Sequence, residues 1–146
     1  MAIPVTGKVL IDTNVFVDYL RQELHADWVF GRVGNTIRFL SSIVVMELRL
    51  GADTPKRKRM VDKIISAFPN NRLIGPSPQL FDKAGRLFRT LYGDGSGFAD
   101  RLGPVNDLLI ALTAKQMGAT VITRNLGEFN RIKEHLQGLK VKLFES

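Results

Sequence analysis

The sequence predicts an α/β domain in which a central, mainly parallel sheet of four or five strands is flanked by helices. Short apolar runs alternate along the chain with longer segments of helical periodicity. This alternation is typical of parallel sheets whose two faces are covered by helices. The length of 146 residues fits one domain, because most domains contain roughly 100–150 residues. We therefore expect residues 1–146 to fold as a single unit.

Strands are predicted where short apolar, β-branched runs are bounded by turn residues. The first run, 8–12, ends at an acid, and it is followed by a second run at 36–40. A shorter run at 72–74 is the optional fifth strand, and the remaining two are 120–123 and 140–144.

Helices are predicted where apolar residues recur at helical spacing behind a capping residue. Thr13 or Asn14 is placed to cap the first helix, and Ser41 or Ser42 the third. Pro55 and Pro104 suit the first positions of later helices. The predicted helices span, in order, 15–21, 28–33, 43–50, 55–68, 77–92, 104–117 and 132–136.

Two segments of the chain need a closer argument. Residues 43–45 are all β-branched, which favours a strand, but the serines before them and Gly51 after the run favour a helix. The glycine-rich segment 93–103 predicts a flexible loop near the mouth of a site. It lacks the lysine and hydroxyl residue of a phosphate-binding loop, so we do not assign it that role.

Composition excludes several classes of chemistry. The chain has no cysteine and only two histidines, His25 and His135, which excludes disulfides, thiolate metal centres and a cysteine nucleophile and argues against a histidine-rich zinc site. No apolar run is long enough to span a membrane and no signal peptide is evident, so we expect a cytoplasmic protein. The net charge of +7 suits a polyanionic partner but does not identify one.

Four acids stand where chemistry is expected. Asp12 follows the first strand directly, and Glu128 lies three residues after Asn125, at the end of a later strand. Ligands of open parallel sheets bind at these carboxyl ends. Glu47 and Asp107 interrupt the apolar faces of two predicted helices. A buried, unpaired carboxylate is costly, so these positions need an explanation.

The residues alone leave three explanations open. Each acid can be structural, as a helix cap or the partner of an arginine. Asp12 can be the nucleophile of a phosphatase, although such enzymes usually carry a second Asp where this chain has Asn14. The acids can also converge on Mg²⁺ or Mn²⁺, since hard cations take carboxylate oxygens and offset the repulsion between acids.

Four segments resemble, in order, the motifs of PIN-domain ribonucleases, and most closely those of VapC-type toxins of prokaryotic toxin–antitoxin pairs. They read VLIDTNVFVDYL at 9–20, SSIVVMELRLG at 41–51, NDLLIALTA at 106–114 and VITRNLGEF at 121–129. Each motif alone is short, but the four follow in order and span nearly the whole chain. The resemblance implies a three-layer PIN-like fold.

The resemblance also implies a metal site. Asp12, Glu47 and Asp107 match the family's metal-binding acids. The fourth position falls to Asn125 or Glu128, with Glu in place of the usual Asp. The implied cofactor is Mg²⁺ or Mn²⁺, as one or two ions.

Substrate contacts are predicted from both motif and charge. Thr13 and Asn14 match the family's polar pair after the first Asp, and Arg124 is placed to meet a phosphate. Lys56 and Arg57 belong to the run KRKR at 56–59, which predicts an RNA backbone contact, a solvated start of a helix or a nuclear localisation signal.

The implied activity is metal-assisted hydrolysis of RNA phosphodiester bonds, without a histidine base. The implied partners are an antitoxin protein that inserts a segment near the acids and a second copy of the chain, in a homodimer or larger assembly. Helices at 13–21, 43–51 and 55–68 are the predicted surfaces for both.

Two other functions stay open from the sequence. If Glu128 fails as a ligand, the same fold would be a catalytically weak or inactive module for RNA binding or assembly. The phosphatase that uses Asp12 as nucleophile is the second alternative.

Overall fold

The computed structural model describes residues 5–31 and 33–143, and it is an α/β fold with a five-stranded parallel sheet. The predicted fold class is confirmed. The strands are β1 (Gly7–Ile11), β2 (Thr36–Ser41), β3 (Leu73–Ile74), β4 (Thr120–Thr123) and β5 (Lys140–Leu143). The helices are α1 (Thr13–Gln22), α2 (Ala26–Phe30), α3 (Ser42–Leu50), α4 (Pro55–Ser66), α5 (Pro78–Tyr92), α6 (Leu102–Met117) and α7 (Leu126–Lys133).

The order of the strands across the sheet is β3-β2-β1-β4-β5, and all four pairings are parallel. The chain leaves β1 to build one half of the sheet and returns to β4 on its other side. The carboxyl ends of β1 and β4 therefore flank the point where the strand order reverses. In open α/β sheets this point is where ligands bind.

The core lies around β1 and α6. Residues 9–11 of β1 are completely buried, and so are Leu108, Ile110 and Ala111 of α6. Helix α6 packs on β1 and β4, while α3 packs on β2. The apolar strands predicted from the sequence thus occupy the centre of the sheet, covered as expected for parallel strands.

The first helix begins earlier than predicted because its cap is Asp12. The Asp12 side chain accepts a hydrogen bond from the backbone N–H of Thr13, so Thr13 and Asn14 lie inside the helix. The prediction that either would be the cap was wrong. The third helix was predicted correctly, since Ser41 accepts from the backbone N–H of Ile43 and the helix continues to Leu50.

Helix α6 begins at Leu102, before the predicted start at Pro104. The Asp100 carboxylate accepts a hydrogen bond from the Leu102 N–H at 2.9 Å, which stabilises an earlier first turn. Pro104 tolerates the third helical position, because the N–H groups of the first turn have no partner within the helix.

Helix α7 was predicted at 132–136 but spans Leu126–Lys133. Gly127 disfavours a helix locally. The burial of Phe129 and Ile132 against the core offsets that cost. The end of the predicted strand 140–144, Phe144, lies outside the described residues. Within the described ranges, no helix has the length and hydrophobicity needed to cross a membrane.

Candidate active site

Asp12 occupies the carboxyl end of β1, at the point where the strand order reverses. Its side chain is only 4% exposed. One oxygen accepts from the Thr13 N–H at 2.8 Å, while the other accepts from Asn14 Nδ2 at 3.0 Å and Thr123 Oγ1 at 2.8 Å. The pKa of Asp12 is raised to about 6 in total. Burial is the main cause of the rise and the negative charge of Glu47 adds to it, while the hydrogen bonds from Thr123 and Thr13 act in the opposite direction.

Thr123 is a site residue that the sequence analysis missed. It ends β4 and is completely buried, and its hydroxyl donates to Asp12 while accepting from Asn14 Nδ2 and the Asn125 N–H. It therefore joins the carboxyl ends of β1 and β4. A polar residue closing an otherwise apolar strand, TVIT, was the one signal available in the sequence.

Glu47 reaches the site from α3. It lies one turn before the end of that helix and is partly buried. Its Oε1 accepts a hydrogen bond from Thr13 Oγ1 at 2.6 Å. Thr13, a predicted substrate contact, thus donates to a predicted metal ligand. This hydrogen bond joins the motif at 9–20 to the motif at 41–51.

Asp107 has a more strongly raised pKa than Asp12. It lies in the second turn of α6, and none of the described residues donates a hydrogen bond to its carboxylate. Burial and, after it, the negative charges of Asp12, Glu47 and Glu128 together raise its pKa to about 8. This mutual influence places the four predicted acids around one site.

Glu128 joins the other acids from the first turn of α7. Its Oε1 accepts a hydrogen bond from the hydroxyl of Tyr92, the last residue of α5. Tyr92 was interpreted as a core or interface aromatic, so the sequence analysis missed this contact too. Asn125, the other candidate for the fourth ligand, is exposed and its side chain does not cap α7.

The chemistry of this acidic site, defined by Asp12, Glu47, Asp107 and Glu128, fits a hard divalent cation. Among the described residues, no lysine, arginine or histidine forms an ion pair with any of the four. Burial and, after it, this uncompensated negative charge raise the pKa values of Asp12 and Asp107. A bound cation would stabilise the ionised form of both acids.

The carboxylates do not form a preassembled coordination shell. In the described part of the chain, no three histidine, cysteine or acidic side chains are gathered closely enough to hold an ion as they stand. Like charges repel in the absence of a cation, so an open arrangement is the expected resting state. Coordination would require the carboxylates to rotate toward one another.

The predicted substrate contacts are distributed unequally around this site. The Arg124 backbone N–H donates to Asn14 Oδ1, and its exposed guanidinium pairs with Asp18 at 3.2 Å. Lys56 and Arg57 instead line a groove of about 660 Å³ between the end of α1 and the start of α4, and none of the four acids lines it.

Asn106 contributes an unused donor next to Asp107. It is 2% exposed, and its Nδ2 has no hydrogen-bond partner among the described residues. A buried amide without an acceptor is costly, so this atom is available for an oxygen that enters the site.

Comparisons with solved structures agree with this architecture. A chain of VapBC2 from Rickettsia felis bound to a promoter DNA fragment is 23% identical, with a TM-score of 0.68, over 94% of this chain and 99% of that chain. DNA-bound VapBC from Salmonella typhimurium is 25% identical, with a TM-score of 0.66, over 93% and 97%. FitAcB from Neisseria gonorrhoeae is 27% identical, with a TM-score of 0.60, over 91% and 95%.

Sequence comparison extends this likeness to the level of a family. No curated protein matches the chain significantly. The profile of the PIN domain family, however, matches residues 9–135. That range contains all four acids of the site and most of the chain. The resemblance seen in the four motifs is confirmed, and the chain belongs to the PIN domain family.

Proposed function

We propose that this protein is a Mg²⁺- or Mn²⁺-dependent endoribonuclease and the toxin of a toxin–antitoxin pair. The observation that carries the proposal is the acidic site, in which four carboxylates influence one another electrostatically near the switch point of the sheet without a cationic partner among the described residues. A structural role would leave these acids paired or capping, whereas only Asp12 caps a helix.

The acids would hold one or two divalent ions. When bound, the metal lowers the pKa of water and stabilises the charge that develops at a scissile phosphate. Asp12 is fixed by three donors, so it provides a rigid anchor for that site. Thr13 orients Glu47 through its hydroxyl.

Two donors next to the acids suit the substrate. Asn106 Nδ2 has no acceptor among the described residues and can donate to a phosphate oxygen. Arg124 directly follows Thr123, and its exposed guanidinium, which pairs with Asp18, can meet a flanking phosphate of the RNA. These roles agree with a reaction that needs no histidine base.

The partners follow from the same resemblance. VapBC and FitAcB are the proteins to which this chain is structurally similar. We propose a cognate antitoxin protein and a homodimer or larger assembly, with helices α1, α3 and α4 as the surfaces. Lys56 and Arg57, which line the groove between α1 and α4, would then face either the antitoxin or RNA. The site of action is the cytoplasm.

The phosphatase alternative finds less support. An aspartyl nucleophile must present a free oxygen to the substrate. Asp12 is almost fully buried, and both of its oxygens already accept hydrogen bonds.

The test is cleavage of a structured RNA by the purified protein with Mn²⁺, with chelator and with the variant Asp107→Asn. We expect cleavage only with wild type and metal. Asp82→Asn, which removes an exposed acid paired with Arg86 on α5, is the matched control and should cleave normally. Equal cleavage by wild type and Asp107→Asn would overturn the proposal, and metal binding without cleavage would favour the inactive binding module.

A further inference from the structure

Tyr92 links the glycine-rich loop to the acidic site. It is the last residue of α5, and its hydroxyl donates a hydrogen bond to Glu128 Oε1 on α7. The contact joins residues 36 positions apart in the sequence. Among the described residues, the other oxygen of Glu128 accepts no hydrogen bond.

Packing around the ring fixes the position of this hydroxyl. Phe98, from the glycine-rich loop, stands edge-on to the Tyr92 ring at 4.9 Å, and Phe88 does so at 5.1 Å. The Arg131 guanidinium lies 4.8 Å from the ring centroid, and its Nη2 donates to the Leu91 carbonyl. The tyrosine is therefore held by neighbours on α5, α7 and the loop.

The loop itself is anchored to this aromatic cluster. Gly95 has φ of +77° and is buried so closely against Phe88 that an added Cβ would stand 2.9 Å from the ring. Only glycine adopts that conformation at no steric cost. Through Gly95 and Phe98, the glycine-rich segment thus packs against Phe88 and Tyr92.

The surrounding charges keep Tyr92 a donor. Burial raises its pKa above the ordinary value, and the hydrogen bond to Glu128 and the charges of Glu128 and Asp107 raise it further, against a smaller opposite effect of Arg131. The hydroxyl is therefore protonated at neutral pH and donates to Glu128.

Glu128 needs such a support because of its length and its neighbours. A glutamate has one more rotatable bond than the aspartate that the family usually carries near this position, so ordering it costs more conformational entropy. The negative charge of Asp107 also repels it, as the raised pKa of Asp107 reflects. Without Tyr92, rotation of Glu128 into solvent would relieve that repulsion.

We propose that Tyr92 is a positioning residue that holds Glu128 beside Asp107 and thereby sets the affinity of the acidic site for a divalent cation. This inference rests on the proposed metal-dependent function. It adds a residue outside the four motifs, and it explains how a glutamate serves at the fourth acidic position.

The test is Mn²⁺ binding, measured by titration calorimetry in the absence of RNA. We expect Tyr92→Phe to weaken Mn²⁺ binding on the order of 10-fold, as removal of groups that orient metal ligands typically does. Glu128→Gln should weaken binding at least as much, and the double variant no more than Glu128→Gln. Tyr19→Phe, which changes the chain's other tyrosine, packed edge-on against Phe30, is the control and should bind like wild type.

A spectroscopic measurement separates positioning from a general loss of structure. The chain has only two tyrosines, so a tyrosine difference spectrum on adding Mn²⁺ should be present in wild type and Tyr19→Phe and absent in Tyr92→Phe. In Glu128→Asp, whose shorter side chain withdraws from the hydroxyl, adding Tyr92→Phe should change Mn²⁺ affinity less than about twofold.

The outcomes distinguish this inference from the proposed function. Unchanged Mn²⁺ affinity in Tyr92→Phe, or effects of Tyr92→Phe and Glu128→Gln that multiply, would overturn the positioning role. A wild type that binds no Mn²⁺ would overturn it as well. Wild type that binds Mn²⁺ but cleaves no RNA would overturn the nuclease assignment alone.

Discussion

Replacing Asp107 by asparagine should stabilise the metal-free protein. Folding raises the pKa of this acid from its usual 3.8 to about 8, mainly by burial and then by the charges of Asp12, Glu47 and Glu128. The unfolded chain therefore ionises Asp107 more readily than the folded one, so ionisation favours unfolding. The destabilisation is absent below about pH 4, grows as the pH rises and is complete above about pH 8.

The size of the effect follows from the same values. About three pH units separate the usual pKa of 3.8 from pH 7, and each corresponds to about 1.4 kcal/mol. The upper limit at pH 7 is therefore about 4 kcal/mol. Water and side-chain rotation relax part of this cost, so we expect a gain of about 1–3 kcal/mol in Asp107→Asn, or roughly 3–10 °C in Tm.

Thermal unfolding in chelator from pH 5 to 8, with and without Mn²⁺, measures this gain. The advantage of Asp107→Asn in chelator should grow with pH, while Mn²⁺ should raise the Tm of wild type and leave the variant nearly unchanged. Asp82→Asn, at an exposed ion pair, should show neither effect. If Asp107→Asn is less stable than wild type at pH 7 in chelator, Asp107 has a structural role and the reasoning from repulsion is wrong.

Three further substitutions test separate parts of the structure. Thr123→Val removes a buried donor and should cost about 1–3 kcal/mol in chemical denaturation, and Thr123→Ser should recover most of it. Gly95→Ala places a Cβ 2.9 Å from Phe88 at a φ of +77° and should lower stability by more than about 1 kcal/mol, while Gly97→Ala, with open space around it, should be nearly neutral. Arg124→Ala should weaken RNA binding and reduce the slope of log affinity against log salt by about one; an unchanged slope would remove it from the interface.

The sequence predicted the strands well, because local apolar patterns determine them, and the same patterns selected three of the acids as candidates. Apolar runs at the centre of a parallel sheet are buried on both faces, so their composition alone identifies them. Asp12, Glu47 and Asp107 stood out since each interrupts or ends an apolar segment. In the structure the negative charges of Asp12 and Glu47 act on Asp107, which agrees with that interpretation. The role of the three acids as metal ligands stays a prediction.

Contacts between segments that are far apart in the chain could not be predicted from the sequence. Thr123 is an ordinary strand residue until β4 pairs with β1 and brings its hydroxyl to Asp12. Tyr92 continues the apolar stripe of α5, and only the packing of α7 shows that its hydroxyl meets Glu128. The cap and ligand roles of Asp12 were treated as alternatives, although one carboxylate has enough lone pairs for both.

The two most perturbed acids differ in a way that affects how a cation enters the site. Asp12 accepts three hydrogen bonds and has a pKa of about 6, whereas Asp107 accepts none from the described residues and has a pKa of about 8. At pH 7 the metal-free site therefore holds its proton mainly on Asp107. Coordination requires the ionised form, so Mn²⁺ binding at pH 7 should release about one proton. Calorimetry in two buffers of different ionisation enthalpy measures this number, which should fall toward zero above about pH 9. Release of one proton that persists above about pH 9 would assign the proton to another group.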